Sequence, residues 1–177
     1  LSLLDASCVA PPPDLDAAFV RSFAIVAAGR ARRVEVVPSL LALLDSKDRV
    51  LRVDAAESVA LLTNIDVDGK WDDDAAAEAH AKGRLAYEDL WRKFGKSPRD
   101  MWLAEGFRRA GFRVRALDRT SVWELVRATA GGGHVGMNAR DALARIADEP
   151  PVPRSMSTTD ACGYYAWFFN ARRRKFR

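Results

Sequence analysis

Oxygen-bearing side chains recur at the spacing of a calcium-binding loop in the segment NIDVDGKWDDDA, residues 64–75. Those that could serve as ligands are Asn64, Asp66, Asp68 and Asp72. A helix–loop–helix calcium site also takes a glycine at its sixth position and a bidentate glutamate at its twelfth. Gly69 takes the sixth position, but Ala75 stands at the twelfth. We therefore expect no calcium binding in the affinity range of sensors and no bound metal.

Two other interpretations of this segment stay open. A loop that starts at Asp66 follows the preceding helix better but is two residues too short for calcium. The interpretation that we favour is structural: Gly69 turns the chain, Trp71 packs, and Asp72–Asp74 favour the start of the next helix through its dipole.

No other group of residues indicates catalysis or a cofactor. His80 and His134 have no cysteine or acid at metal-ligand spacing, and Cys8 and Cys162 form no CxxC pattern. Gly131–Gly133 lack the Lys-Ser/Thr of a phosphate-binding loop and predict a turn with positive φ. We expect a protein that is not an enzyme and holds no cofactor.

Composition indicates a soluble globular protein with acidic partners. The chain has 177 residues, 49% hydrophobic and 29% charged, and a net charge of +4. That length suffices for a hydrophobic core, and a basic balance favours nucleic acid, anionic lipid or acidic protein as partners. Arg21 interrupts an apolar run that is in any case shorter than the roughly 18 residues of a membrane span. We expect no membrane span.

Apolar residues recur at helical spacing along most of the chain, and the predicted helices come in pairs. The turn inside most pairs holds a glycine and then an apolar residue: Gly29 and Val34, Gly69 and Trp71, Gly133 and Val135. The third pair, around GKSPRD, is less regular. The spacing of these turns lies in the middle thirties, which is typical of repeated helical hairpins.

With four such hairpins in order, the sequence resembles the calmodulin superfamily of EF-hand proteins over about residues 15–149. AFVRSFAIV is similar to a first entering helix, and VWELVRATAGGGHVGMNARDAL to a fourth hand. The resemblance implies a mainly α fold of two lobes, each a pair of helix–loop–helix hairpins with a very short β pairing between its loops. Val34 would pair with Trp71, and Val135 with Met101 or Leu103. The implied domains are an arm (1–14), two lobes (15–80 and 81–149) and a tail (150–177).

The departures from this family indicate a lobe that does not depend on calcium. Hands one and four offer alanine and glycine where oxygen ligands belong, and hand three is too short. In the family, an open lobe grips a partner helix in an apolar groove. The resemblance implies a groove lined by Phe19, Phe23, Leu40, Leu44, Trp91, Phe94, Phe107 and Trp123.

The tail ACGYYAWFFNARRRKFR places aromatic residues beside basic ones. The candidate contact residues are Tyr164, Tyr165, Trp167, Arg172, Arg173, Arg174 and Lys175. Aromatic rings beside arginines suit RNA, and they equally suit a protein interface. A helix that packs its aromatic residues on the body and leaves its basic end in water explains the pattern as well.

The function that we expect is that of a non-catalytic, calcium-independent subunit that binds partner helices in a larger assembly. A basic chain without an initiating methionine favours a mitochondrial complex, with a cytoskeletal or axonemal light chain second. The alternative is a helical-repeat RNA-binding component of an organellar ribosome or ribonucleoprotein. An enzyme fragment with GFRVRAL as a strand comes third.

Overall fold

A computed structural model describes residues 17–153 and 155–172 of the chain. Over these residues the chain forms eight α-helices and no strand, so the prediction of a mainly α fold is confirmed. The helices are α1 (Ala17–Arg30), α2 (Val37–Leu43), α3 (Arg49–Thr63), α4 (Ala77–Phe94), α5 (Arg99–Arg109), α6 (Val122–Ala128), α7 (Gly133–Ala147) and α8 (Thr158–Ala171). The predicted arm at residues 1–14 lies outside the described residues.

The short β pairings expected between loops are not found in the described ranges. Val34 begins a 3₁₀ turn, Val34–Val36, and Trp71 lies in a turn. Met101 and Leu103 belong to α5, and Val135 belongs to α7. A residue inside a helix uses its backbone N–H and C=O groups within that helix, so it has none to offer a strand ladder.

The chain divides into two compact units, unit 1 (Leu1–Arg99) and unit 2 (Asp100–Arg177). The boundary predicted between the lobes, at residues 80 and 81, falls inside α4, and the division into EF-hand-like lobes stays a prediction. α4 continues through that point because no proline interrupts it until Pro98, just before α5 begins.

In unit 1, α1 and α2 both pack on α3, and α2 also contacts α4. The ends of α3 follow local chemistry. The Asp48 side chain accepts a hydrogen bond from the backbone N–H of Val50 at 2.9 Å and so caps the first turn. Asn64 ends the helix in the left-handed conformation at φ 61°, which asparagine adopts more readily than most residues. The fully buried core side chains include Leu40, Leu44, Ala55, Val59 and Leu62.

The contact between α1 and α3 depends on a small residue. A Cβ atom on Gly29 would lie 2.8 Å from Ser58 Cβ and 2.9 Å from Ser58 Cα. At this close approach, the Ser58 hydroxyl donates to the Ile25 carbonyl oxygen at 3.0 Å. One further hydrogen bond crosses between the helices, from the Ser22 hydroxyl to the Asp54 carboxylate. The apolar contact thus leaves both serines satisfied.

Unit 2 builds a separate core from α5, α6, α7 and α8. Its largest fully buried side chains are Trp102, Tyr165, Phe107, Phe169, Leu125 and Leu143. The positive-φ turn predicted at Gly131–Gly133 is confirmed at its last two residues, with φ 67° at Gly132 and 48° at Gly133. In the described part of the chain, no helix is both long and apolar enough to cross a bilayer.

A pair of glycine substitutions tests the α1–α3 contact. Gly29→Ala should lower the free energy of unfolding by about 1–3 kcal/mol, because the methyl group meets the Ser58 backbone. Gly163→Ala in α8, where no atom lies within 4 Å of the new methyl group, should instead raise it by roughly 0.5–1 kcal/mol through helix propensity. Urea unfolding followed by circular dichroism measures both. A Gly29→Ala variant as stable as Gly163→Ala would contradict a tight contact.

Candidate functional site

The acidic loop, residues 64–76, joins the end of α3 to the start of α4. Its carboxylates serve the loop itself. Asp68 Oδ1 accepts from the N–H of Lys70 at 3.1 Å, and Asp73 Oδ1 accepts from the N–H of Ala75 at 2.9 Å. Both are Asx turns, in which an aspartate bonds the backbone two residues later. Asp74 pairs with Arg52, and this hydrogen bond holds the pKa of Asp74 below its ordinary value.

The four candidate calcium ligands do not form a cage. Asn64 is buried at the end of α3, whereas Asp66, Asp68 and Asp72 are exposed. Over residues 17–153 and 155–172, no three Asp, Glu, His or Cys side chains are grouped so as to hold a metal ion. Calcium independence stays a prediction that a binding measurement must test.

The expected capping of α4 by Asp72–Asp74 is not found. α4 begins at Ala77, and its N-cap residue is Ala76, which makes no side-chain cap bond. Asp74 pairs with Arg52 and Asp73 closes its own turn, so neither side chain caps α4. An interaction of Asp72–Asp74 with the dipole of α4 stays a prediction.

Trp71 anchors the acidic loop to the body of unit 1, as its predicted packing role requires. The side chain is buried, and its Nε1 donates to the Val67 carbonyl oxygen at 3.1 Å. Its ring stacks on His80, with centroids 5.7 Å apart and planes 12° apart, and on Tyr87 at 6.4 Å. His80 Nε2 also lies 3.0 Å from the Lys70 carbonyl oxygen. The indole therefore fixes the loop on the first turns of α4.

Two glycines make room for the indole. A Cβ atom on Gly69 would lie 2.3 Å from the Trp71 ring, and one on Gly83 in α4 would lie 2.8 Å from it. Real Cβ atoms do not come this close to a ring, so a larger residue at either position would displace the indole. Gly69 was predicted to turn the chain. In the structure, its lack of a side chain leaves room for the Trp71 ring.

Arg52 is a buried cation that ties three segments together. Its Nη1 donates to the carbonyl oxygens of Ser46 at 2.9 Å and Lys47 at 3.2 Å, in the turn between α2 and α3. Its Nε donates to the Trp71 carbonyl oxygen at 3.3 Å, and Nη2 bonds the Asp74 carboxylate. A buried charge is tolerated when it is paired and hydrogen-bonded in this way. The guanidinium closes the acidic loop onto the start of α3.

Tyr87 holds the other end of the acidic loop from α4. Its hydroxyl donates to the Ile65 carbonyl oxygen at 3.3 Å and accepts from the Val67 N–H at 3.2 Å. Burial raises the pKa of this hydroxyl far above its ordinary value, and the Val67 hydrogen bond offsets only part of that effect. The phenol therefore stays neutral and able to donate at every physiological pH.

The outward side of α1 is apolar and exposed. Phe19 is 60% exposed and Phe23 is 67% exposed. Residues four apart lie on one helix face, so the two rings are neighbours. The inner side of the same helix holds Ile25 and Ala28, which are buried in the core of unit 1. α1 thus has apolar residues on two opposite sides. This pattern is typical of a helix that is covered on both sides.

Most of the other predicted groove residues are buried and form no surface with these two phenylalanines. Leu40, Leu44 and Phe94 are buried in unit 1, where Trp91 is half-buried against Gly95. Phe107 is buried in unit 2, and Trp123, also in unit 2, is 46% exposed. The buried members fill the two cores, so their helical spacing in the sequence reflects core packing and not a groove.

The predicted tail contacts divide between core and surface. Tyr165 is buried, and its hydroxyl donates to the Arg140 carbonyl oxygen at 3.1 Å. Tyr164 is half-buried with its ring edge against Tyr165, whereas Trp167 is 66% exposed. Arg172 lies over the Phe168 ring at 4.0 Å and pairs with Glu149. Arg173, Arg174 and Lys175 lie outside the described residues.

The role of Arg52 was not predicted from the sequence, although the sequence holds a signal of it. Arg52 shares a helical face with the buried residues Ala55, Ala56 and Val59, so a cation interrupts an otherwise apolar stripe. A lone arginine on such a stripe indicates a buried cation whose partners are carbonyl oxygens or a carboxylate.

Comparisons with known proteins give no relative: no family model, no curated protein and no solved structure matches this chain.

Arg52→Met keeps most of the side-chain volume and removes the cation. We expect a loss of about 2–3 kcal/mol in the free energy of unfolding, because several carbonyl oxygens and Asp74 lose their donor together. Arg49→Met, at an exposed position in the same helix, should change it by less than about 0.5 kcal/mol. Urea unfolding and hydrogen exchange of the loop amides measure the effect. Equal stability of the two variants would refute the role assigned to Arg52.

The raised pKa of Tyr87 predicts that unit 1 loses stability at alkaline pH. An unfolded tyrosine ionises near pH 10.0, whereas folded Tyr87 keeps its proton beyond that pH. The stabilisation is therefore complete below about pH 10 and is lost as pH rises, by roughly 1.4 kcal/mol at about pH 11. Tyr87→Phe should lose about 1 kcal/mol at neutral pH and show a smaller further loss at about pH 11. Tyr165, whose pKa burial also raises, keeps some pH dependence in that variant. Urea unfolding at both pH values decides, and an unchanged alkaline loss in Tyr87→Phe would count against this assignment.

Proposed function

We propose that this protein is a non-catalytic, calcium-independent helical subunit that binds an amphipathic partner helix on the outward side of α1. The observation that carries the proposal is the exposure of Phe19 and Phe23, 60% and 67%, on neighbouring turns of one helix. Two large rings side by side on the surface favour a helix-in-groove or helix-on-helix interaction.

The energetics of the two rings support a stable complex. Burial of a phenylalanine side chain contributes roughly 1.5–3 kcal/mol, and aromatic residues are frequent among the few that dominate interface energies. The opposite side of α1 is held on α3 by the Gly29–Ser58 contact and the Ser58–Ile25 hydrogen bond. The face is therefore presented by a fixed helix, and little conformational freedom is lost on binding.

The EF-hand-like part of the proposal rests on the order of elements. α1 and α2, α3 and α4, and α6 and α7 each follow one another as helix, connection and helix. In the second of these hairpins the carboxylates of Asp68, Asp73 and Asp74 are engaged with the backbone or with Arg52. Asp68 is the one candidate calcium ligand among them, and a calcium ion that used its Oδ1 would compete with this bond and would still lack a twelfth-position glutamate. We therefore propose that partner binding is constitutive.

The proposed absence of catalysis rests on the same kind of reasoning. His80 stacks on Trp71 and lies at hydrogen-bond distance from the Lys70 carbonyl oxygen, which is a structural use of an imidazole. A general base needs an orienting partner and a nearby nucleophile instead.

RNA binding by the tail is the second candidate. It is supported by Trp167, which is 66% exposed and could stack on a base. In the same helix, Arg172 lies over the ring of Phe168. It is supported less than helix binding because Tyr165, Phe168 and Phe169 are buried in the core of unit 2. One exposed indole offers little of the stacking surface on which single-stranded RNA binding depends.

The binding face can be tested with a labelled amphipathic peptide helix that carries leucines on one face and glutamates on the other. Phe19→Ser/Phe23→Ser should weaken binding more than about tenfold, because both apolar contacts are removed. The matched control is Val50→Ser/Leu85→Ser, which removes two apolar side chains with 56% and 57% exposure elsewhere in unit 1. Fluorescence anisotropy measures affinity, with calcium in excess and with chelator.

Equal affinity with and without calcium is expected of the wild-type protein. A large increase in affinity or a change in circular dichroism on adding calcium would overturn constitutive binding. Equal losses in the two double variants would show that the peptide has no preference for the α1 face, and the proposal would fail.

A further inference from the structure

A cleft of about 550 Å³ opens in unit 1, and it is separate from the rings of Phe19 and Phe23. One side is formed by residues 32–35, which follow α1, and the other by residues 95–99, which lead into α5. We name it the basic cleft. Its volume falls in the range of sites that enclose a small molecule or a few residues of a peptide.

The lining of the basic cleft carries an excess of positive charge. It includes four cationic side chains, those of Arg32, Arg33, Lys96 and Arg99, and one carboxylate, that of Glu35. In the whole chain 28 basic residues face 24 acidic ones, so this local excess is far greater than the average. Cations that line a concave surface concentrate their field and attract anions.

Arg99 is held in position at one edge of the cleft. Its Nε donates to the Leu62 carbonyl oxygen at 3.0 Å, and its Nη2 lies 3.4 Å from that of Leu61, both near the end of α3. A guanidinium fixed in this way loses little conformational freedom when an anion binds beside it.

Arg33 forms a weak ion pair whose carboxylate partner is easily replaced. Its Nε lies 3.8 Å from Glu35 Oε2, and both side chains are 70% exposed. An ion pair this long and this exposed contributes little to stability, so an incoming carboxylate can take the place of Glu35. Lys96 is exposed across the cleft on the opposite segment.

The lining favours carboxylates of a protein over a nucleic acid. None of the nine lining residues is aromatic, so the cleft offers no ring on which a base could stack. Arginine forks match carboxylates and phosphates alike, so the lack of a stacking ring is what favours the carboxylates of a protein.

From these observations we infer that the basic cleft binds an acidic segment of a protein partner, through aspartate or glutamate carboxylates placed between Arg33 and Lys96. This site does not depend on the α1 face, so either proposal can fail while the other stands.

The test uses a fluorescein-labelled glutamate-rich peptide without leucines, with a labelled oligouridine of similar charge as the second probe. Arg33→Ala/Lys96→Ala should weaken peptide binding about fivefold, since it removes two exposed ion pairs. Lys82→Ala/Arg115→Ala removes the same charge from exposed positions outside the cleft and should weaken binding less than twofold. Circular dichroism confirms that each variant is folded.

Three outcomes would overturn the inference. The first is a lack of peptide binding by the wild-type protein. The second is an equal loss of binding in both double variants, which would show that only net charge matters. Tighter binding of oligouridine than of the peptide, lost in Arg33→Ala/Lys96→Ala, would assign the cleft to nucleic acid instead.

Discussion

The buried Arg52 guanidinium is the interaction on which the arrangement of unit 1 depends. A cation in a protein interior has a desolvation cost of several kcal/mol, and only several well-placed acceptors offset it. Here the acceptors come from the α2–α3 turn, through Ser46 and Lys47, and from the acidic loop, through Trp71 and Asp74. Any shift of the loop away from α3 would remove some of the acceptors that replace water around the guanidinium. The charge therefore holds the connection to α4 in one position.

The packing around Trp71 complements that charge. Arg52 fixes the backbone of residue 71, while Gly69, Gly83 and Tyr87 fix its ring against α4. The polar contact and the apolar contact thus act on two sides of one residue. Together they attach a 13-residue connection rich in aspartate to the body of unit 1.

Part of this structure could be predicted from the sequence because it is local. Helical spacing of apolar residues predicted the helices, and the glycine run predicted the positive-φ turn at Gly132 and Gly133. The surfaces could not be predicted in the same way. The spacing that placed Leu40 and Phe107 in a groove is equally that of a core helix, and only tertiary contacts decide between the two. α1 carries apolar residues on two sides, so its sequence does not indicate that Phe19 and Phe23 face outward. The partners of Arg52 lie up to 22 residues away, beyond the reach of any local pattern.

The contacts of Arg52 and Trp71 have a consequence for how a partner would be selected under the proposed function. An EF-hand lobe that opens with calcium binds its partner only when calcium is present, whereas the proposed constitutive binding uses no such switch. Selectivity must then come from the complementarity of fixed surfaces. Apolar rings alone discriminate poorly among amphipathic helices, because most of them offer leucine. A positively charged site adds the discrimination that the rings lack, because it slows the approach of basic segments and speeds that of acidic ones. The basic cleft follows α1 directly in the chain, at Arg32 and Arg33, so the helix that displays the rings also positions two of the cations. The two proposals together therefore predict a partner that carries both an apolar helical face and an acidic segment.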